Sequence, residues 1–227
     1  MKIANNILKH SLQNVYFLAG TPLAGKTTMS KALVEKHGFV WFDENYNGIP
    51  FKKWESIVEE KYQPHKFARD KRFKSEEKYD WDAHYARPAE EIFADQSKPG
   101  LNEEFLEFAI IELIKMSQAG RVVTDICMPP DLLLEISDYS RIACLLTAPH
   151  LVTTVNYGSR PDHRNYLDWI MSLNDPEEKI AKNDEVFMLG TMKTYEDVKK
   201  HNLFSIVRTE ESTVEGMFAQ LEAHFQL

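Results

Sequence analysis

Five short runs of apolar residues punctuate the chain with little or no polar interruption. The first, Val15-Tyr16-Phe17-Leu18-Ala19, ends at Gly20; the second, Phe39-Val40-Trp41-Phe42, ends at Asp43-Glu44-Asn45. The third spans Arg121 to Asp125, the fourth Arg141 to Leu146, and the fifth Leu203 to Val207. Runs without polar alternation predict strands covered on both faces. Helical stretches separate them. One runs from about Lys26 to His37, with Gly38 placed as a C-terminal cap. Another has Asn102 as its cap, Glu103 and Glu104 at its positive end, and apolar residues at helical spacing from Phe105 to Met116, before Gly120.

Residues 150–200 read as mostly helical, with one start marked by Asp175 as cap, Pro176 in the first turn and Glu178 behind it. Ser212-Thr213-Val214-Glu215 reads as a capping box, opening a last helix with an apolar face of Val214, Met217, Phe218, Leu221 and Phe225. Strands alternating with helices imply a parallel sheet with right-handed crossovers. Residues 51–100 break this rhythm. They are dense in charge and aromatics, and Pro64, Pro88 and Pro99 divide them into short helices. They read as an insertion covering something.

Composition narrows the setting. With 227 residues, 43% of them hydrophobic, the chain suits one α/β domain with insertions. A net charge of −8 argues against general nucleic-acid binding, which depends on neutralising phosphates. No apolar run reaches the roughly 18 residues of a membrane span, and residues 1–6 lack the apolar stretch of a secretory signal. No membrane partner and a cytoplasmic location are the expectations. Cys127 and Cys144 lack a CxxC partner and are expected to be buried and reduced.

The chemistry concentrates after the first strand. Gly20-Thr21-Pro22-Leu23-Ala24-Gly25-Lys26-Thr27 fits GxxxxGK[ST] at every fixed position. Glycines let the backbone turn so that successive N–H groups face phosphate oxygens, and the helix that follows adds its unpaired N–H groups. Lys26 is placed to neutralise the β- and γ-phosphates, and the Thr27 hydroxyl to ligate Mg²⁺. The pattern arises by chance in about one chain in a hundred of this length. Its position between a predicted strand and a predicted helix is the context that gives it weight.

The segment Gly20 to Thr28, followed by a second strand ending in Asp43, resembles the P-loop small-molecule kinases: adenylate, shikimate and gluconate kinases and the antibiotic phosphotransferase related to them. The resemblance implies a three-layer P-loop NTPase fold. Its five-stranded parallel sheet has the order 2-3-1-4-5, with helices on both faces. It also implies a single domain over 1–227, with a substrate-covering insertion at about 45–100 and an arginine-bearing lid at about 155–170. No NKxD motif marks a GTPase, and no LSGGQ motif marks a transporter ATPase.

Within that frame Asp125, beyond strand three, lies where ligands bind in open α/β sheets. It either supports Mg²⁺ or caps a helix near Pro129. The following Cys127-Met128-Pro129-Pro130 departs from the Asp-Gly turn of adenylate kinases, which tells against a nucleotide acceptor. Asp43, or Glu44 beside it, either orients the acceptor hydroxyl or belongs to a polar turn. Arg160 and Arg164 fall where the lid belongs and either bridge the transferring phosphoryl group or sit solvated in a loop. Arg72 and Arg87 are candidate acceptor ligands against the plainer reading of a charged helix face. After strand five, Arg208 to Ser212 either packs near the nucleotide base, as in the resembled kinases, or leads into a capped helix.

The expected function is phosphoryl transfer from ATP, with Mg²⁺, to a small-molecule acceptor, using Lys26, Asp43, Arg160 and Arg164. The alternatives are an ATPase or switch acting through a protein partner, and a family member that binds nucleotide without catalysis.

Overall fold

A computed structural model of the chain describes residues 5–42, 80–96, 103–126, 128–160 and 164–227. At its centre is a parallel sheet of five strands, β1 Val15–Gly20, β2 Val40–Phe42, β3 Val122–Thr124, β4 Ile142–Thr147 and β5 Ser205–Arg208. Their order is β2-β3-β1-β4-β5, as the resemblance implied for a P-loop kinase fold. Around the sheet, numbering the described helices in chain order, run α1 Asn5–Ser11, α2 Lys26–His37, α3 Trp81–Tyr85, α4 Ala89–Gln96, α5 Glu103–Ser117 and α6 Pro130–Ile136. They continue with α7 Thr154–Gly158, α8 Arg164–Met171, α9 Pro176–Lys200 and α10 Val214–Phe225.

The strand pattern explains the layers. Side chains alternate across a sheet, so each central strand feeds two cores. Val15, Phe17 and Ala19 of β1, with Ile142, Cys144 and Leu146 of β4, pack into a core with α5 and α6. Leu18, Ala143 and Leu145 point the other way, joining Met29 and Leu33 of α2 and Met217, Phe218 and Leu221 of α10. Every residue of β4 is buried, which is why its sequence is an unbroken apolar run. The outer strands are lighter. Val40 of β2 is exposed, and in β5 Ile206 alone is buried.

Several local expectations were corrected. Thr213, not Ser212, is the N-cap of α10, accepting from the Gly216 N–H. Ser212 instead accepts from Thr209 N–H. The shift turns Val214 outward, 49% exposed. Asp175 precedes α9 with φ 46° and makes no side-chain cap, although Pro176 does open the helix. Gly38 caps α2 as expected, at φ 67° with its N–H on Leu33 and Val34 carbonyls. Helix α1 was not anticipated.

Helix α9 gathers the remaining pieces. Ile92 and Ala89 of α4 pack on Val186. The buried Lys179 ammonium reaches Asp82 of α3 at 2.7 Å, and also donates to the Asn174 carbonyl. That contact holds the Asp82 carboxyl below its ordinary value. Asp184 accepts from Thr154 at the start of α7 through both N–H and hydroxyl, 2.6 and 2.5 Å. Trp81 of α3 meets Trp169 of α8 edge to face at 4.5 Å. The described end of the aromatic-rich segment and the helices after β4 therefore dock on one element. Among the described residues no helix is long and apolar enough to cross a membrane.

Two predictions follow from this packing. A Cβ on Gly158 would lie 2.4 Å from the Leu167 Cβ, so Gly158→Ala should cost about 1–3 kcal/mol in denaturant unfolding. Unchanged stability would mean α7 and α8 do not cross as described. Burial also pushes the Cys144 thiol up to about 12. At pH 8 it stays protonated, so in a Cys127→Ser variant a thiol reagent should react only on unfolding. Fast reaction of the folded protein would contradict that burial.

Candidate active site

The loop between β1 and α2 has the backbone its motif requires. Gly20 (φ 124°) and Gly25 (φ 85°) lie in the region that favours glycine, and Leu23 joins them at φ 62°. At Gly20 a Cβ would sit 1.8 Å from the Leu145 carbonyl oxygen, so a side chain has no room where β1 meets β4. Leu23 carries a conformation that costs a side-chain-bearing residue about 1–2 kcal/mol, and the contacts around it hold it there.

Those contacts come from two neighbouring strands. The Thr21 N–H donates to Leu145 O at 3.0 Å. The Thr147 N–H donates to Thr21 Oγ1, and the Thr147 hydroxyl to Pro22 O, each at 2.7 Å. Arg208, at the end of β5, donates to Leu23 O. Lys26 Nζ reaches back to Thr21 O at 2.9 Å. The carbonyls of three successive loop residues are thus drawn onto protein donors, and Gly25 opens α2 with no side-chain cap. The first N–H groups of a helix have no intrahelical acceptor. A loop whose carbonyls are drawn away, followed by a helix N-terminus, suits a phosphate anion. An ammonium has three donors, so the Thr21 contact leaves Lys26 able to bond an anion as well.

Next to the loop stands Asp125, directly after β3 and 1% exposed. The Thr27 hydroxyl donates to its Oδ2 and the Trp41 indole N–H to its Oδ1, each at 3.1 Å. A hydroxyl and a carboxylate are hard oxygen donors, the kind Mg²⁺ takes alongside phosphates and water. The two residues expected to hold the metal, Thr27 and Asp125, are brought together, although 98 positions separate them in the chain.

The other expected residues are placed less closely. Arg164 Nε lies 3.2 Å from Asp168 Oδ1 on its own helix, both side chains exposed. Arg160 follows the end of α7. Arg87 lies 2.6 Å from Asp95 and 3.5 Å from Glu91. The Asp95 contact raises its pKa further above that of a free guanidinium. Both Arg87 and Arg164 therefore already face carboxylates within their own segments. Asp43, which follows β2 directly, lies outside the described residues, as do Glu44, Arg72 and Cys127.

No motif marks Trp41, Thr147 or Arg208; the strand order brings Thr147 and Arg208 to the loop and Trp41 to Asp125.

No protein-family model matches the chain, and no curated protein matches it. Among solved structures, a shikimate kinase from Acinetobacter baumannii in complex with shikimate is similar over 94% of this chain and 93% of its own, at 14% identity and a TM-score of 0.42. Another shikimate kinase, from Bacteroides thetaiotaomicron, is similar over 94% of this chain and 98% of its own, at 14% identity and a TM-score of 0.40.

The Thr147 clamp yields a test. Thr147→Val keeps the shape but removes the bond to Pro22, so stability in denaturant unfolding should fall by about 1 kcal/mol. Unchanged stability would show that the loop keeps its shape without this bond.

Proposed function

We propose that this chain is an ATP-dependent phosphotransferase, moving the γ-phosphoryl group of ATP to a hydroxyl of a small-molecule acceptor. The observation that carries this reading is the loop Gly20 to Thr28, with its carbonyls tied back and Thr27 bonded to the buried Asp125 at 3.1 Å. The loop's N–H groups receive the phosphates, and Lys26 neutralises charge on the transferring end. Thr27 and Asp125 would hold Mg²⁺, which when bound would supply charge neutralisation for the phosphates. Asp43 orients the acceptor hydroxyl, a task of position more than of basicity. Arg160 and Arg164 close toward the reacting phosphoryl group, for which Arg164 leaves Asp168. That pair is exposed on both sides and costs little to part. The segment 45–100, with Arg72 and Arg87 as candidate ligands, selects the acceptor. For Arg87 this requires exchange of Asp95 for the acceptor.

ATP turnover with Mg²⁺ against pools of small metabolites tests the proposal, with Lys26→Ala as the blank. One pool should raise ADP release well above the acceptor-free rate, and Lys26→Ala should abolish the rise while the protein remains folded. Background rates in every pool, with ATP still bound, would overturn phosphoryl transfer and favour a nucleotide switch acting through a protein partner. Normal turnover in Lys26→Ala would remove the loop from the chemistry.

A further inference from the structure

The second hydrogen bond on Asp125 involves a residue outside the motif. Trp41 pairs with Val123 across β2 and β3. Side chains two apart along a strand share a face, so Asp125, two residues beyond Val123, follows the side of the sheet on which Trp41 lies. Both Val123 and Trp41 pack with the α2 core. The Lys31 ammonium of α2 stands 5.9 Å from the centre of the Trp41 ring. The indole is therefore wedged between the edge strand and the helix that carries Thr27, with its N–H 3.1 Å from Asp125 Oδ1.

We propose that Trp41 is a positioning residue of the metal and phosphate site, acting through Asp125. The inference rests on the nucleotide-binding reading above. The terminal torsion of an aspartate is broad and nearly two-fold, so its carboxylate plane is loosely held unless donors fix it. Trp41 holds one oxygen and thereby presents the other to Thr27. The Thr27 hydroxyl hydrogen is then committed to Asp125, and its lone pairs are left for a cation. An indole suits this role because it only donates. It cannot reverse the bond, and it cannot itself ligate a metal. Trp41 thus orders the oxygen donors before nucleotide arrives.

The test separates this role from simple packing. Trp41→Phe keeps the ring and removes the N–H. Without Mg²⁺, in chelator, the variant should bind ADP within about twofold of the parent protein, since the loop itself is untouched. The gain in ADP affinity on adding Mg²⁺ should fall by about tenfold, the scale of losing a partner that orients a metal ligand. A second measurement needs no substitution. The chain has four tryptophans, and their indole N–H signals are separately visible by NMR. In the ADP complex, one of them should move when Mg²⁺ is added. A full Mg²⁺ gain in a folded Trp41→Phe, or four indole signals indifferent to Mg²⁺, overturns the proposal. If the parent protein binds no ADP at all, the nucleotide-binding reading fails and takes this inference with it, an outcome distinct from the other two.

Discussion

The site depends on how closely β1 approaches β4 at Gly20. With 1.8 Å between a would-be Cβ and the Leu145 carbonyl oxygen, only glycine lets the two strands meet there. That approach delivers the Thr21 N–H to Leu145 and brings Thr147 against both Thr21 and Pro22. The loop is then held by the neighbouring strands as well as by its own residues. Its positive-φ positions, including the costly one at Leu23, persist because neighbouring strands impose them.

The same constraint links the loop to the rest of the fold. Strand β3 pairs with β1 on the other side, so Asp125 emerges beside α2. β2 pairs with β3 and carries Trp41 to the same place. Beyond β4, Tyr195 of α9 donates its hydroxyl to the Thr147 carbonyl at 3.0 Å. A single residue, Thr147, thus bonds both the loop and the long helix on which α4 and α7 pack. That arrangement ties the loop to the helix against which those segments pack.

Much of this was legible in the sequence, for identifiable reasons. The buried strands β1 and β4 lack alternation because helices cover both faces, and that absence is visible in the residues themselves. Strand ends were placed one or two residues off, since pairing decides them and not composition. The N-cap is Thr213 and not Ser212, although both are good caps, because Ser212 accepts from the Thr209 N–H while Thr213 accepts from Gly216. Motif residues could be read because their chemistry is local: Lys26 and Thr27 sit at fixed offsets from Gly20. Trp41, Thr147 and Arg208 could not, because each arrives from a different strand, Trp41 at Asp125 and the other two at the loop. For Arg164 and Arg87, the spacings to Asp168 and Glu91 are those of neighbours on a helix, and those pairs are formed.

The central claim is that the loop from Gly20 to Thr28 receives the phosphates of a nucleotide. Hydrogen exchange followed by mass spectrometry, with and without Mg²⁺ and a non-hydrolysable ATP analogue, tests it most directly. The account predicts slowed exchange in peptides covering residues 20–28, with smaller protection around Asp125 and little change in α10. Unaltered exchange over 20–28 at saturating analogue, or protection confined to another surface, would contradict it.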